Sequence, residues 1–187
     1  MKLNSGDVII FPTDTVYGIG AKISDSLAMD KIYEIKHRPK EKRLSVLCAN
    51  IDDIEKIAYV TDLAKRLIKE YMPGGLTLIL NSREEVRSEY IFETIAVRIP
   101  KHELAIRILT ENGPMATTSV NTSGKAPMND YIEIVKHFGD EVLYVYPNTL
   151  VSSKVSSTIV DLTSDEVVLI REGKLKFTEI TNFLNNN

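Results

Sequence analysis

Lys36 and Arg38, two positions apart in Lys36-His-Arg38, present a compact ammonium and a planar guanidinium, a pair that matches the oxygens of a triphosphate. They end a helical pattern that Pro39 forbids from continuing, so backbone carbonyls and the negative helix pole lie nearby. An anion bound there must be held by side chains. Ser119-Val-Asn121, inside Pro114–Gly124, adds hydroxyls, an amide and flexible backbone, which can bind phosphate and sugar oxygens without adding charge. Phe11-Pro-Thr-Asp-Thr-Val-Tyr-Gly18 follows an apolar run and can bend over a cleft. Arg98 lies within the apolar run Ile95–Ile99, where a buried cation needs either an acidic side chain or an anionic ligand opposite it. Arg171, in Arg171-Glu-Gly173, poses the same question after Val167–Ile170. Together these pieces read as a nucleotide cradle, although Pro, Gly, Asn and Ser also punctuate ordinary turns and cationic helix ends are commonly surface.

Other chemistries find less support. No G-x-x-x-x-G-K-[ST] occurs, and Gly18-Ile-Gly20 lacks the third glycine of the dinucleotide fingerprint. His37, His102 and His137 are scattered, and His37 is expected to face away from its basic neighbours, so a His metal site or a catalytic triad is disfavoured. The single cysteine, Cys48, lies in an apolar run and reads as an inert core thiol. One cysteine gives neither a disulfide framework nor a zinc site. The net charge of -3 argues against a surface that grips nucleic acid throughout. A basic spot is nevertheless present, with Lys36, Arg38, Lys40, Lys42 and Arg43 against Glu34 and Glu41. No apolar run has membrane length, so cytoplasmic residence is the expectation.

The elements that must position these residues alternate between β-rich and helical patterns, which indicates the α/β class in one domain over 1–187. The core is expected over about 5–175, with a polar, Asn-rich tail behind it. Strands are expected at Val8–Phe11, Leu44–Ala49, Leu76–Leu80, Ile95–Ile99, Met115–Thr118, Val142–Val145, Ser157–Asp161 and Val167–Ile170. Helices are expected after an Asp25-Ser26 cap, over Asp62–Tyr71, over Leu104–Leu109 and through Tyr131, Val135 and Phe138. Pairing order cannot be read from periodicity.

Six elements in order resemble the YrdC/TsaC family: Phe11–Gly20, Lys36-His-Arg38, Ala96–Pro100, Ser119-Val-Asn121, Ser156–Asp161 and Arg171-Glu-Gly173. The resemblance spans most of the chain. It implies a YrdC-like open, twisted mixed sheet with flanking helices around a basic cavity. It implies a nucleotidyltransferase that makes threonylcarbamoyl-adenylate and pyrophosphate from L-threonine, bicarbonate or CO2 and ATP, for a tRNA modification. By position, Lys36 and Arg38 would be catalytic. ATP would be held by Lys36, Arg38, Lys42, Thr94, Ser119, Asn121, Pro127 and Arg171. Threonine would be held by Thr15, Arg98, Thr117 and Ser157, with Arg98 on its carboxylate. Mg²⁺ is expected to come with the ATP phosphates rather than on dedicated protein ligands. Downstream threonylcarbamoyl-transfer proteins acting on tRNA, and direct RNA contact, are the implied partners. The chain departs from the family pattern at Leu47, at Gly74-Gly-Leu-Thr77 and at Lys42-Arg43. A sister branch with altered amino-acid specificity is therefore one alternative, and a non-catalytic RNA-binding module is another. Carbamoyl transfer to a protein, which in relatives needs zinc-finger modules, is disfavoured by the lone cysteine.

Overall fold

Side-chain caps open four of the helices, three of them near positions expected from sequence. Asp25 accepts the Ala28 amide at 3.1 Å and starts α1 (Ser26–Ile35). Asn50 accepts the Asp53 amide and starts α2 (Ile51–Ile57). Thr61 caps α3 (Asp62–Tyr71), and α4 runs over Glu103–Asn112. Asp130 caps α5 (Tyr131–Phe138), while α6 spans Phe177–Asn185. Each cap satisfies an amide that has no partner within its own helix.

The computed structural model describes residues 1–148, 153, 155–164 and 166–186. Among these, nine strands form one sheet: β1 Ile9–Phe11, β2 Gly18–Lys22, β3 Ser45–Leu47, β4 Leu76–Asn81, β5 Thr94–Arg98, β6 Met115–Ser119, β7 Tyr144–Val145, β8 Thr158–Asp161 and β9 Val168–Arg171. Their order is β7-β1-β2-β6-β3-β5-β4-β8-β9. The pairs β1–β7, β3–β5 and β4–β8 are parallel and the other pairs antiparallel, so the sheet is mixed as expected.

Alternation along the strands sends apolar side chains to opposite sheet faces. Ile10 packs with Ala28, Ile32 and Phe138 of α1 and α5, whereas Ile9 and Phe11 pack with Ala105, Ile108 and Leu109 of α4. Val46, Leu78 and Val97 join Ile54, Leu67 and Ile68 of α2 and α3. Their alternates, Ser45, Leu47, Thr77 and Arg98, line a cavity instead.

Three elements differ from expectation. β2 contains Gly18 and Gly20, which read as turn residues in sequence. In the sheet their missing side chains let Thr117 of β6 approach, since a Cβ on Gly20 would lie 2.8 Å from the Thr117 hydroxyl. α2 is short and hides its few apolar residues among charges. The polar tail is corrected to a helix, α6, with Ile180 fully buried in the core and Phe177, Phe183 and Leu184 packed beside it. Composition masked that one-sided apolar stripe.

Candidate functional site

The strand alternates β2, β6, β3, β5, β4 and β8 together floor a cavity of about 280 Å³. Arg38, Arg43, Arg98 and Arg171 contribute cations, and Thr13, Thr15, Thr77, Thr117, Ser119 and Ser157 contribute hydroxyls. A more apolar recess of about 220 Å³, bordered by Leu44, Ile79, Ile95 and Ile170, shares Arg43, Ser45 and Ile159 with it.

Arg98 answers the question raised by its burial. Its Nη2 donates to Asp14 Oδ1 at 2.5 Å, its Nη1 to the Thr15 hydroxyl at 2.7 Å, and its Nε to the Gly74 carbonyl at 2.8 Å. Burial lowers its pKa, and Asp14 opposes that shift. An acidic side chain of the protein is thus the partner, and two of the five guanidinium N–H groups remain for a ligand. Asp14 belongs to the segment singled out from sequence, but no role was assigned to it there. The usable signal was the partner that a buried arginine requires. Thr77, also without an assigned role, lies 2.8 Å from the Ser157 hydroxyl.

Lys36 is not the surface cation that its place at a helix end implied. It caps α1, is 1% exposed and turns inward as His37 adopts a φ of +48°. Its Nζ donates to the carbonyl of Ser119, to the carbonyl of Asn121 at 2.6 Å and to Asn121 Oδ1 at 2.9 Å. In the ammonium form three donors meet three acceptors, and Lys36 does not line the cavity. Burial first, and the Arg38 charge second, push its pKa down to about 7, while the three oxygens favour the ammonium. The Ser119 hydroxyl donates to Asn121 Oδ1, and the Asn121 amide donates to the Thr122 and Lys125 carbonyls. Asn121 is therefore an internal brace, buried beneath the junction.

Arg38 is half-buried at the cavity edge, with Nε and Nη2 donating to the Lys42 and Arg43 carbonyls at 2.9 and 2.8 Å. Arg171 donates through Nη2 to the Ser157 carbonyl at 2.9 Å. Burial lowers the pKa of both guanidinium groups. Thr15, Thr117, Ser119 and Ser157 line the cavity as well. Lys42 and Pro127 are exposed away from it, and Thr94 borders the apolar recess, where it accepts from Arg43 at 2.7 Å. The basic spot is largely engaged: Lys36 donates inward, Arg38 donates to the Lys42 and Arg43 carbonyls and Arg43 to the Thr94 hydroxyl in exposed contacts, and Lys40 pairs with Asp30.

Among the described residues, no group of three or more His, Cys, Asp or Glu could hold a metal ion. His37, His102 and His137 are not brought together, and burial raises the Cys48 thiol pKa well above its ordinary value. Among the described residues, no helix is long and apolar enough to cross a membrane.

A family model named Sua5_yciO_yrdC and described as "Telomere recombination" matches residues 1–173. The chain is 36% identical over 179 residues to a putative threonylcarbamoyl-AMP synthase of Methanocaldococcus jannaschii, covering 96% of this chain and 86% of the other. It superposes with a TM-score of 0.90 on Pyrococcus abyssi Sua5 complexed with L-threonine, at 34% identity, covering 96% of this chain and 54% of that one. Escherichia coli YciO superposes with a TM-score of 0.81 at 31% identity, covering 91% and 85%. The chain therefore spans about half of the Pyrococcus protein but most of the other two. A mixed sheet whose polar face gathers the ordered motifs, and likeness along nearly the whole sequence, place the chain in the Sua5/YciO/YrdC family.

Proposed function

We propose that this protein is an L-threonylcarbamoyladenylate synthase, a nucleotidyltransferase acting on L-threonine, bicarbonate or CO2 and ATP in the cytoplasm, upstream of tRNA modification. The observation that carries the reading is a division of the cavity. Arg98, neutralised by Asp14 and surrounded by Thr15, Thr77, Thr117 and Ser157, suits a small zwitterion with a hydroxyl. Arg38, Arg43 and Arg171, without an acidic partner among the described ion pairs, suit phosphates. The adjoining apolar recess suits a purine base. Together the two spaces fall within the roughly 300–1,000 Å³ of ordinary ligand sites.

The chemistry needs positioning rather than a protein nucleophile. The threonine amine adds to CO2, forming a C–N bond and releasing one proton, to give a carbamate. A carbamate oxygen then attacks the α-phosphorus of ATP, and the bond to the pyrophosphate oxygen breaks. Guanidinium groups at the phosphates stabilise charge that grows on the leaving group, and the hydroxyl-lined floor fixes the angle of attack. Mg²⁺ would arrive on the nucleotide phosphates and supply further charge neutralisation. The product would pass to a threonylcarbamoyl-transfer protein acting on tRNA.

A specific observation keeps a second reading alive. Leu47, buried in the cavity, is the register partner of Arg98, which puts an apolar side chain beside the amino-acid side. A related synthase with altered amino-acid specificity would share everything else. One assay tests both: purified protein, ATP, Mg²⁺, bicarbonate and each amino acid in turn, with the adenylate detected directly. Threonine-dependent adenylate and pyrophosphate are the expected result. Another amino acid would select the second reading, and RNA binding without any adenylate would overturn both.

A further inference from the structure

We propose that Asp14 is a positioning residue that fixes the Arg98 guanidinium for the amino-acid carboxylate and keeps that half of the cavity from competing for phosphate. The inference rests on the synthase reading and deepens it. Asp14 is fastened from three directions. Its Oδ1 accepts from Arg98 Nη2 at 2.5 Å and from the Lys101 amide at 2.9 Å, at the joint between β5 and α4. Lys174 Nζ approaches its Oδ2 at 3.5 Å and its carbonyl at 3.2 Å, from the segment that follows β9. The Asp14 carboxylate is itself buried, so the pair with Arg98 is shielded from solvent screening.

Two consequences follow from charge and geometry. With Nε, Nη1 and Nη2 each anchored on Gly74, Thr15 and Asp14, the guanidinium plane is set before any ligand arrives. With its charge balanced, Arg98 offers a carboxylate two oriented N–H groups but attracts a polyanion less than Arg38 or Arg171 does. Removing the Asp14 charge would free an unbalanced buried cation, which would seek the most anionic species present.

Asp14→Asn is the direct test, because it keeps the shape and an oxygen for the Lys101 amide. Threonine KM should rise several-fold, as expected when the hydrogen bond that orients the Arg98 guanidinium keeps its oxygen but loses its charge assistance. ATP KM should change less than about twofold, while pyrophosphate should inhibit several-fold more strongly, on the order expected for an added nearby cation. Parallel losses for threonine and ATP without tighter pyrophosphate inhibition would reduce Asp14 to a structural residue and overturn the proposal. If Asp14→Asn does not fold, the wild type still decides. ¹⁵N NMR should show a slowly exchanging Arg98 Nη2–H, the group that donates to Asp14, before threonine is added, and its appearance only after threonine would refute prior positioning. A wild type that binds no threonine by calorimetry defeats the synthase reading itself. One that binds threonine as Asp14→Asn does defeats only the role of Asp14.

Discussion

Lys36 Nζ donates to both the backbone carbonyl and the side-chain Oδ1 of Asn121, at 2.6 and 2.9 Å, across 85 positions of sequence. The Ser119 carbonyl takes the third N–H, and the Lys36 carbonyl in turn accepts from the Ser123 amide at 2.9 Å. The end of α1 is thereby fastened to the loop after β6. As a sequence, Lys36-His-Arg38 offers two equivalent phosphate ligands. In the fold they separate, with Lys36 holding the junction and Arg38 reaching the cavity.

Lys36→Met, similar in length but without donors, should loosen that junction. It leaves three oxygens without their partner, so a destabilisation of about 1–3 kcal/mol is expected in chemical denaturation. Hydrogen exchange should show lost protection at Ser123 and Lys125, and adenylate formation should fall sharply. Unchanged exchange with lost activity would instead mark Lys36 as a direct phosphate ligand.

The pH dependence of stability provides a separate readout. The Lys36 pKa is about 7 when folded and returns to its ordinary 10.5 on unfolding, so between these values the unfolded chain binds more protons. Stability from this group is present above 10.5 and is lost as pH falls through about 7. From pH 7.5 to 9.5 the stability should rise by up to about 1.4 kcal/mol per pH unit, and Lys36→Met should abolish that slope. Above pH 10 the trend should reverse, because burial holds the Tyr17 pKa at about 12 while an unfolded tyrosine ionises near 10. Denaturation midpoints across this range, wild type against variant, are the measurement.

Arg38→Ala should separate binding from folding. Two of its N–H groups hold local carbonyls, and the side chain remains half-exposed at the cavity edge. A stability loss below about 1 kcal/mol is expected, as for most surface substitutions. Removing a preorganised donor at the phosphates should lower adenylate formation by about 10²–10³. Threonine binding in the absence of ATP, followed by calorimetry, should be unchanged.

Gly173→Ala tests how tightly the segment after β9 is laid down. A Cβ there would lie 2.2 Å from the Ser156 carbonyl oxygen and 2.6 Å from that of Ser157. Both obstacles are backbone, so neither can swing aside. The Lys174 amide bond to the Ser156 carbonyl and the Arg171 bond to that of Ser157 should be strained together. A loss of about 1–3 kcal/mol is expected from such overpacking, with weakened threonine and ATP binding in the same variant.

Much of the framework was legible from sequence because it rests on local physics. The Asp25 cap, the helix over Asp62–Tyr71, the stop before Pro39 and the apolar runs of β4 and β5 depend on neighbours within a few positions, and the structure carries each of them. β2 and α6 were not legible for the same kind of reason. The value of Gly18 and Gly20 is the space they leave for Thr117 on another strand, and the apolar stripe of α6 has meaning only against a core built by residues far upstream.

The site divides along the same line. Sequence alone determined which side chains could carry chemistry: a cationic pair, a hydroxyl-rich junction and an arginine in an apolar run that needs a partner. Tertiary structure decided how they are used. Strand order brought Asp14 to Arg98 and Thr77 to Ser157, and it turned Lys36 into the core while leaving Arg38 at the cavity. Residue type sets what a side chain can donate or accept. Only the folded chain fixes which groups it meets and whether water is excluded, and those two conditions decide whether a cation is a ligand, a brace or a counter-charge.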